Sequence, residues 1–507
     1  MNLIDRCIAW ADPRQALERA RARTALAHYE AAQPSRLRKK RSDNQSPNAL
    51  VQRSAVALRA HARYLERNHD LTRGALRVMV NNIVGPGGIG IEPQPRRHDG
   101  TIHTEYAAAL RKLHREWRLR PEVTGRMHAA QAERMVAYTW IRDGECFAQK
   151  VIGNAPGLVH GSALPFSLEL LEPDFVPLEF NDAGRNIRQG VQVNAWGRAT
   201  GYHVYKGDPR DAGAWLLSPS ALKLVPASSM IHVSTLDRLH QWRGVSEFAS
   251  VLTRVEDLKD YEESERVAAK IAASLTAYVK RTSPDGYEAP SKKPGESDDA
   301  SARDLRMEPG MILDNLAVGE EIGLVDTNRP NPNLVSWRSG QLRAYAAGLG
   351  ASYSSISRDY DGTYSSLRQE LVEQWVHYAV LTDDFVGMYT QPVWQSIVAV
   401  ANLSGVLRMP DDVDPSTADD CLFLGQSMPW IDPLKEAQAW LALTQAGFAS
   451  EVEVIRRRGG NPRDLLDQIA EWRKEASERA LQFTSNASEG RGTPSTTGDG
   501  KSNASRG

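Results

Sequence analysis

The chain has 507 residues, 62 Lys and Arg against 63 Asp and Glu, and 41% hydrophobic residues, enough for two to four domains that each bury a core. A net charge of -1 excludes the overall basic excess with which simple nucleic-acid binders hold phosphate. Cys7, Cys146 and Cys421 are too few and too scattered for a disulfide framework or a zinc site. With no apolar run of membrane-crossing length, and with Asp5, Arg6 and Asp12 where a signal peptide needs apolar residues, the composition points to a reducing, cytosolic setting.

Residues 13–32 read as an Arg-rich amphipathic helix. It is followed by the basic run R-L-R-K-K-R at 36–41, a solvated linker or a contact for nucleic acid or a partner. From 48 to 82, Leu50, Val51, Leu58, Leu65, Leu76 and Met79 recur at helical spacing with a break at His69 and Asp70, which predicts two packed helices. Next comes N-N-I-V-G-P-G-G-I-G-I-E-P-Q-P at 81–95, where Gly85, Gly87 and Gly90 spell G-x-G-x-x-G. A dinucleotide fingerprint comes after a strand and opens a helix whose amides hold the phosphates. Here a helix precedes the glycines, and Pro93 and Pro95 keep the next segment extended, so the glycines close a helix and turn the chain.

Two more helices are predicted at 103–117 and 127–141, leading into D-G-E-C-F-A at 143–148. Short strands with turn punctuation come next at 166–171, 190–193, 202–205 and 230–233. Residues 246–279 lack Gly and Pro. They place Phe248, Val251, Leu252, Val255, Leu258, Ile271, Leu275 and Tyr278 on roughly one stripe, a helix of about 50 Å if continuous. A Pro, Ser, Asp and Lys-rich loop at 282–302 interrupts a small β segment that resumes with M-E-P-G-M-I-L at 307–313. Helix returns at 334–349, a loop spans 350–362, and 363–402 is a long helix with a kink before Pro392. After an acidic linker at 411–420, Gly447 stops one helix, Ser450 and Glu453 cap the next, and Asn461 with Pro462 opens the last. Residues 484–507 form a Gly, Ser and Thr-rich tail of disordered composition.

Catalytic signatures are missing. The G-K-S at 500–502 lacks the first glycine of a phosphate loop, since position 495 is Ser495. G-Q-S-M-P at 425–429 ends in proline where a nucleophile elbow needs glycine, and the twelve histidines contain no H-E-x-x-H. The reading is a protein that is not an enzyme, with no cofactor and no metal.

Several segments in fixed order resemble the lambda-type family of bacteriophage portal proteins. They are A-R-Y-L-E-R-N at 62–68, R-D-G-E-C-F-A at 142–148, L-E-L-L-E-P-D at 168–174, I-R-Q-G-V at 187–191, I-H-V at 231–233 and Q-W-R-G-V-S at 241–246. The series continues with D-L-K-D-Y-E-E-S-E at 257–265, A-A-G-L-G-A-S-Y at 346–353, Y-S-S-L-R at 364–368 and W-I-D-P-L-K-E-A at 430–437. Each is weak alone, but their order over residues 5–480 is specific. One departure is Ala351-Ser352, where family members often carry Val-Pro.

The resemblance implies an α+β, portal-type fold: an N-terminal arm and linker (1–47), a wing that is helical and then β-rich (48–245), a first stem helix (246–273), a clip (274–332), a second stem helix (333–349), a tunnel loop (350–362), a spine helix with more wing (363–410), a helical C-terminal crown (411–482) and a tail (483–507). It implies a homo-oligomeric ring of about twelve subunits at one capsid vertex of the virion, assembled in the bacterial cytoplasm. The ring is the channel for DNA packaging and ejection. Its implied partners are the terminase large subunit, major capsid and scaffolding proteins, head-completion and tail connector proteins, and double-stranded DNA passing without sequence specificity; no membrane is involved.

On that reading Ser354, Ser355, Arg358, Asp359 and Tyr360 of the tunnel loop face DNA, and Glu256, Asp260 and Glu263 line an acidic stem. Repeated acidic charge keeps DNA hydrated and sliding, whereas a basic bore would hold phosphate. The same charges also suit the solvated face of a helix. Two rivals remain: a helix-turn-helix DNA-binding regulator built on 450–458 and 462–481, and a dinucleotide-binding oxidoreductase.

Overall fold

The computed structural model describes residues 45–211, 221–273, 277–281, 320–324, 331, 333–428 and 432–481, together with Trp10, Asp12, Arg14, Gln15 and Glu18. The basic run at 36–41, the loop at 282–302, the strand expected at 307–313 and the tail lie outside the described residues.

Helix α1 (Pro47–Asn68) carries Pro at its first turn and ends where His69 turns extended. The His69 ring then caps α2 (Asp70–Ile83) by accepting the Thr72 N–H on Nδ1, and His103 and His128 cap the next two helices in the same way. An Nδ1 that accepts must be unprotonated, and burial lowers the His69 pKa in keeping with this. Helix α2 buries Leu76, Met79 and Ile83, each worth about 2 kcal/mol relative to exposure. Gly85 and Gly88 then take φ of 76° and 78°, and the chain runs into strand β1 (Gly90–Pro93). Helix before and strand after is the order that a dinucleotide fingerprint reverses.

Helices α3 (Thr104–Trp117) and α4 (Ala129–Asp143) come next. Strands β2 (Glu145–Ile152), β3 (Phe166–Leu171) and β8 (Met230–Ser234) form an antiparallel sheet in the order β3-β2-β8. A second antiparallel sheet runs β4 (Ile187–Arg188), β5 (Val191–Val193), β6 (Ala199–Tyr205), β7 (Leu222–Pro226). Strands β2 and β7 carry no clean apolar alternation and were not expected from the pattern.

The helix expected over 246–279 is shorter at both ends. A 3-10 turn at Glu247–Ser250 precedes α5 (Leu252–Ala273), and Ala277–Arg281 is strand β9, paired with β10 (Glu320–Leu324). Tyr278, counted in the stripe, and Val279, at its expected end, suit a strand instead, and Leu275 lies outside the described residues. Phe248, Val251, Leu252, Val255 and Leu258 are buried as the stripe requires, but Ile271 is exposed.

Helix α6 (Leu334–Gly348) returns along α5, and the segment to residue 363 contains a further short helix, α7 (Tyr353–Ser357), where a plain loop was expected. The long helix is α8 (Tyr364–Phe385) and α9 (Gln391–Ser404), joined by a π-turn at Val386–Thr390. Pro392 explains the join, because its missing N–H and its ring are incompatible with an uninterrupted α-helix across this point.

The expected acidic linker is instead docked. Val413 is buried and bridges Arg97, and Asp412 accepts from Arg97 Nε at 3.0 Å. Strand β11 (Cys421–Leu424) then pairs antiparallel with β1, over 300 residues away in sequence, burying apolar side chains that the acidic composition had masked. Helices α10 (Pro433–Gln445), α11 (Glu451–Arg457) and α12 (Pro462–Glu478) are the last described elements, with Ser450 and Asn461 capping the last two. One large core joins α2, α4, the roots of α5 and α6, Ile356 of α7, and α8 and α9.

Candidate channel elements

Helices α5 and α6 are held side by side. Tyr261 and Trp337 lie with ring centroids 4.3 Å apart, Arg338 Nε donates to Glu262 Oε1 at 2.5 Å, and Arg254 Nη1 donates to Gln341 Oε1 at 2.6 Å. On its other flank α5 meets α1, where Glu256 Oε2 lies 3.2 Å from His61 Nε2 and Lys259 Nζ sits 4.9 Å over the Tyr64 ring. Of the expected acidic lining, Asp260 and Glu263 are on the open face, while Glu256 is turned toward α1. Asp257, one turn before Asp260, joins the open face.

The segment after α6 divides into two parts. Its serines belong to the packing against α8: the Ser352 N–H and the Ser355 hydroxyl both donate to Gln374 Oε1 at 2.8 Å, and the Ser354 hydroxyl donates to Glu370 Oε2 at 2.7 Å. Ser352 also caps α7 through the Ser355 N–H, and Ile356 drops into the main core. Arg358 closes α7 with φ of 59°, and from there the chain is exposed through Asp359, Tyr360 and Asp361. The Asp361 N–H donates to Asp359 Oδ1 at 3.1 Å and the Tyr353 hydroxyl to Oδ2 at 2.8 Å, and in that order they hold the carboxyl below its ordinary pKa. Of the five residues expected to face DNA, Arg358, Asp359 and Tyr360 are presented outward. Ser354 and Ser355 are committed to α8.

Six of the ten motifs singled out in the sequence meet at a buried ion cluster. Arg243, fully buried, donates through Nε and Nη2 to Glu145 at 2.7–3.0 Å, through Nη1 to the carbonyls of Gln189 and Val176, and through Nη2 to Pro173 O. His232 Nε2 is 3.1 Å from Glu145 Oε2, which also accepts the Gly244 N–H. Burial alone would raise the Glu145 carboxyl, yet Arg243 and His232 hold it well below the carboxylate range. Alongside, Arg63 of α1 spans Asp143 at 2.7 Å and Asp174 at 2.6 Å. Five motifs 62–68, 142–148, 168–174, 187–191 and 241–246, joined by 231–233, are thus one internal brace. Gly144 between Asp143 and Glu145 has φ of 90°, and a Cβ there would lie 2.2 Å from the Val245 carbonyl carbon, so only glycine lets the two backbones meet.

A second buried group lies under the glycine turn. Glu133 of α4 accepts the Ile89 N–H at 2.8 Å, and burial raises its carboxyl to about 7 against the opposing charge of Arg118. His114, buried beside Arg118, is pushed down to about 3. Among the described residues no group of three His, Cys, Asp or Glu is placed to hold a metal ion, and no helix is long and apolar enough to cross a membrane.

Over residues 33–381 the chain matches the family described as phage portal protein, lambda family. It is 23% identical over 446 residues to the probable portal protein of Halomonas phage phiHAP-1, spanning 85% of this chain and 82% of that one. It is 26% identical over 310 residues to portal protein B of Escherichia phage lambda, spanning 56% of this chain and 57% of that one. Among solved structures, a chain from the virion of a native gene transfer agent particle is similar at a TM-score of 0.43 and 12% identity, over 83% of this chain and 96% of that one.

Proposed function

The chain belongs to the lambda family of phage portal proteins, and from that premise we propose that it closes with copies of itself into a ring of about twelve at one capsid vertex, through which DNA enters and leaves. The observation that carries this reading is the span of the family match, which takes in α5, α6, the exposed tip at Arg358, Asp359 and Tyr360, and α8 as far as Leu381. Two packed helices and a projecting tip, rooted in one core, suit a rigid channel wall with a point of contact.

Within the ring, α5 and α6 serve as the stem, with Asp260 and Glu263 as its acidic lining, and the tip meets DNA. One cation per subunit, Arg358, next to Asp359 and Asp361 gives phosphate contacts weak enough to break as DNA advances. The terminase, capsid, scaffolding and tail-connector proteins dock on its outer surfaces, and assembly takes place in the host cytoplasm. Electron microscopy and light scattering of the purified chain test the reading. A closed ring near the mass of a dozen 56.1 kDa chains is expected, and a monodisperse monomer or dimer across salt and concentration overturns it.

A further inference from the structure

The glycine turn between α2 and β1 closes over a buried acid. Pro86 and Gly87 at its tip face solvent, while Glu133 of α4 lies against its inner side, where a Cβ on Gly88 would overlap Oε2. Three side chains reach the turn. Glu133 Oε2 accepts the Ile89 N–H at 2.8 Å, Arg134 Nη1 donates to the carbonyls of Pro86 at 2.7 Å and Gly85 at 3.2 Å, and Arg118 Nη2 donates to Gly87 O. Two residues on, Glu92 of β1 is buried and accepts Arg456 Nε and Nη2 of α11 at 2.9 and 3.0 Å. The turn therefore leads directly into the strand that pairs with β11 and ties down α11.

The groups facing Glu133 are Arg118 and His114 of α3, Arg134 beside it on α4, and Tyr389 of the π-turn. Burial keeps His114 and Tyr389 uncharged, so the two arginines are the charges it meets. Those charges and the Ile89 N–H favour the carboxylate, burial opposes it, and burial prevails. Behind the carboxyl is a cavity of only about 10 Å³, bordered by Thr390, whose hydroxyl is buried with no hydrogen-bond partner among the described residues. Such a space holds about one water, too few to hydrate a carboxylate. Water for the charged form has to come from the other side, through the exposed turn.

We propose that Glu133 is a proton-operated latch on this turn: neutral, it keeps the turn closed over itself, and ionised, it drives the turn open to water and slackens β1. The glycines supply the mobility, since Gly85 and Gly88 already hold φ of 76° and 78° and Gly87 has open space around it. Opening frees the Ile89 N–H first and then weakens the hold of β1 on β11 and, through Glu92, on Arg456. The motif that resembles a nucleotide fingerprint thus serves as the lid of an internal acid.

The test is hydrogen–deuterium exchange of the full-length chain between pH 5.5 and 7.5, with each rate corrected for the intrinsic pH dependence of amide exchange. Glu133 titrates near 4.5 when solvated and at about 7 when buried, so its support of the closed turn is complete below about 4.5 and is lost as pH rises through 7. Protection of the amides at 88–92 should fall by about tenfold across the measured range, while β2 (Glu145–Ile152) keeps its own. Glu133→Gln, neutral at every pH, should keep 88–92 protected throughout. Unchanged protection at 88–92 in the wild type overturns the proposal. So does a loss shared equally by β2, which is global unfolding, or an equal slope in Glu133→Gln. If circular dichroism shows that Glu133→Gln does not fold, the wild-type contrast between 88–92 and β2 decides alone.

Discussion

The brace around Glu145 and the α5–α6 pair with the tip that follows it treat charge in opposite ways. Around Glu145 and Arg243 each charge is buried and met by a partner from another motif, so that removing one member strands the rest. Around α5 and the tip, Asp257, Asp260, Glu263, Arg358 and Asp361 stand in solvent. The first region spends its polar groups on holding one subunit together, and the second leaves them available to something outside it. Local sequence similarity is therefore a poor guide to the working surface, because the segments that look most familiar are mostly internal.

The sharpest way to break that comparison is Arg243→Met. With Glu145 left buried and unpaired, the subunit should lose about 3–5 kcal/mol in urea unfolding, and adding Glu145→Gln should restore a part of it. A loss under about 1 kcal/mol would put the brace on a level with the exposed charges.

Glu133 tests whether burial governs charge beyond the brace. Its carboxyl titrates at about 7 in the folded chain and near 4.5 when unfolded. Between these values the folded state holds a proton that the unfolded state has released. Its contribution is complete below about 4.5 and is lost as pH rises through 7, by up to about 3 kcal/mol. Melting temperature measured from pH 5 to 8 should fall more steeply for wild type than for Glu133→Gln. Parallel curves would mean that the carboxylate is solvated after all.

A smaller effect on the fold, and a larger one on function, is expected at the tip. Arg358→Glu should leave ring assembly and melting unchanged while reducing DNA packaging or retention severalfold. If rings fail to form, the tip belongs to a subunit interface. If full-length DNA is packaged and held as in wild type, Arg358 has no contact with it.

The smallest change belongs to α5. Asp260→Asn with Glu263→Gln should alter stability by no more than about 0.5 kcal/mol, and any slowing of DNA passage should be seen at low salt and fade as screening increases.

Much of the fold was legible in the sequence because helix ends are written locally. His69, Gly447, Ser450 and Asn461 punctuate the chain where the periodicity says they should. The pairing of β1 with β11 was not legible, since neither C-L-F-L nor G-I-E-P announces a partner three hundred residues away. For the same reason an acidic stretch with one buried valine passed for a linker. At the candidate site, residue type pointed to the tip but could not separate Ser354 and Ser355, which bond to Glu370 and Gln374, from Arg358, which is exposed. That division depends on where α8 crosses. The brace was legible only as six separate motifs, and the ion pairs that unite them appear when Arg243 and Glu145, 98 residues apart, are brought together.

The π-turn at Val386–Thr390 works as a phase shifter. A π-turn takes one more residue than an α-turn, so the side chains after it are rotated by about 100° relative to an unbroken helix. Before the turn, Tyr378, Leu381 and Phe385 sit in the main core; after it, Val393, Ile397 and Val400 sit in the same core. One continuous rod thus keeps one face on the core across the turn without a loop to decouple its halves. Deleting a single residue between 386 and 390 would turn one face against the other, so length in this segment is constrained more tightly than composition.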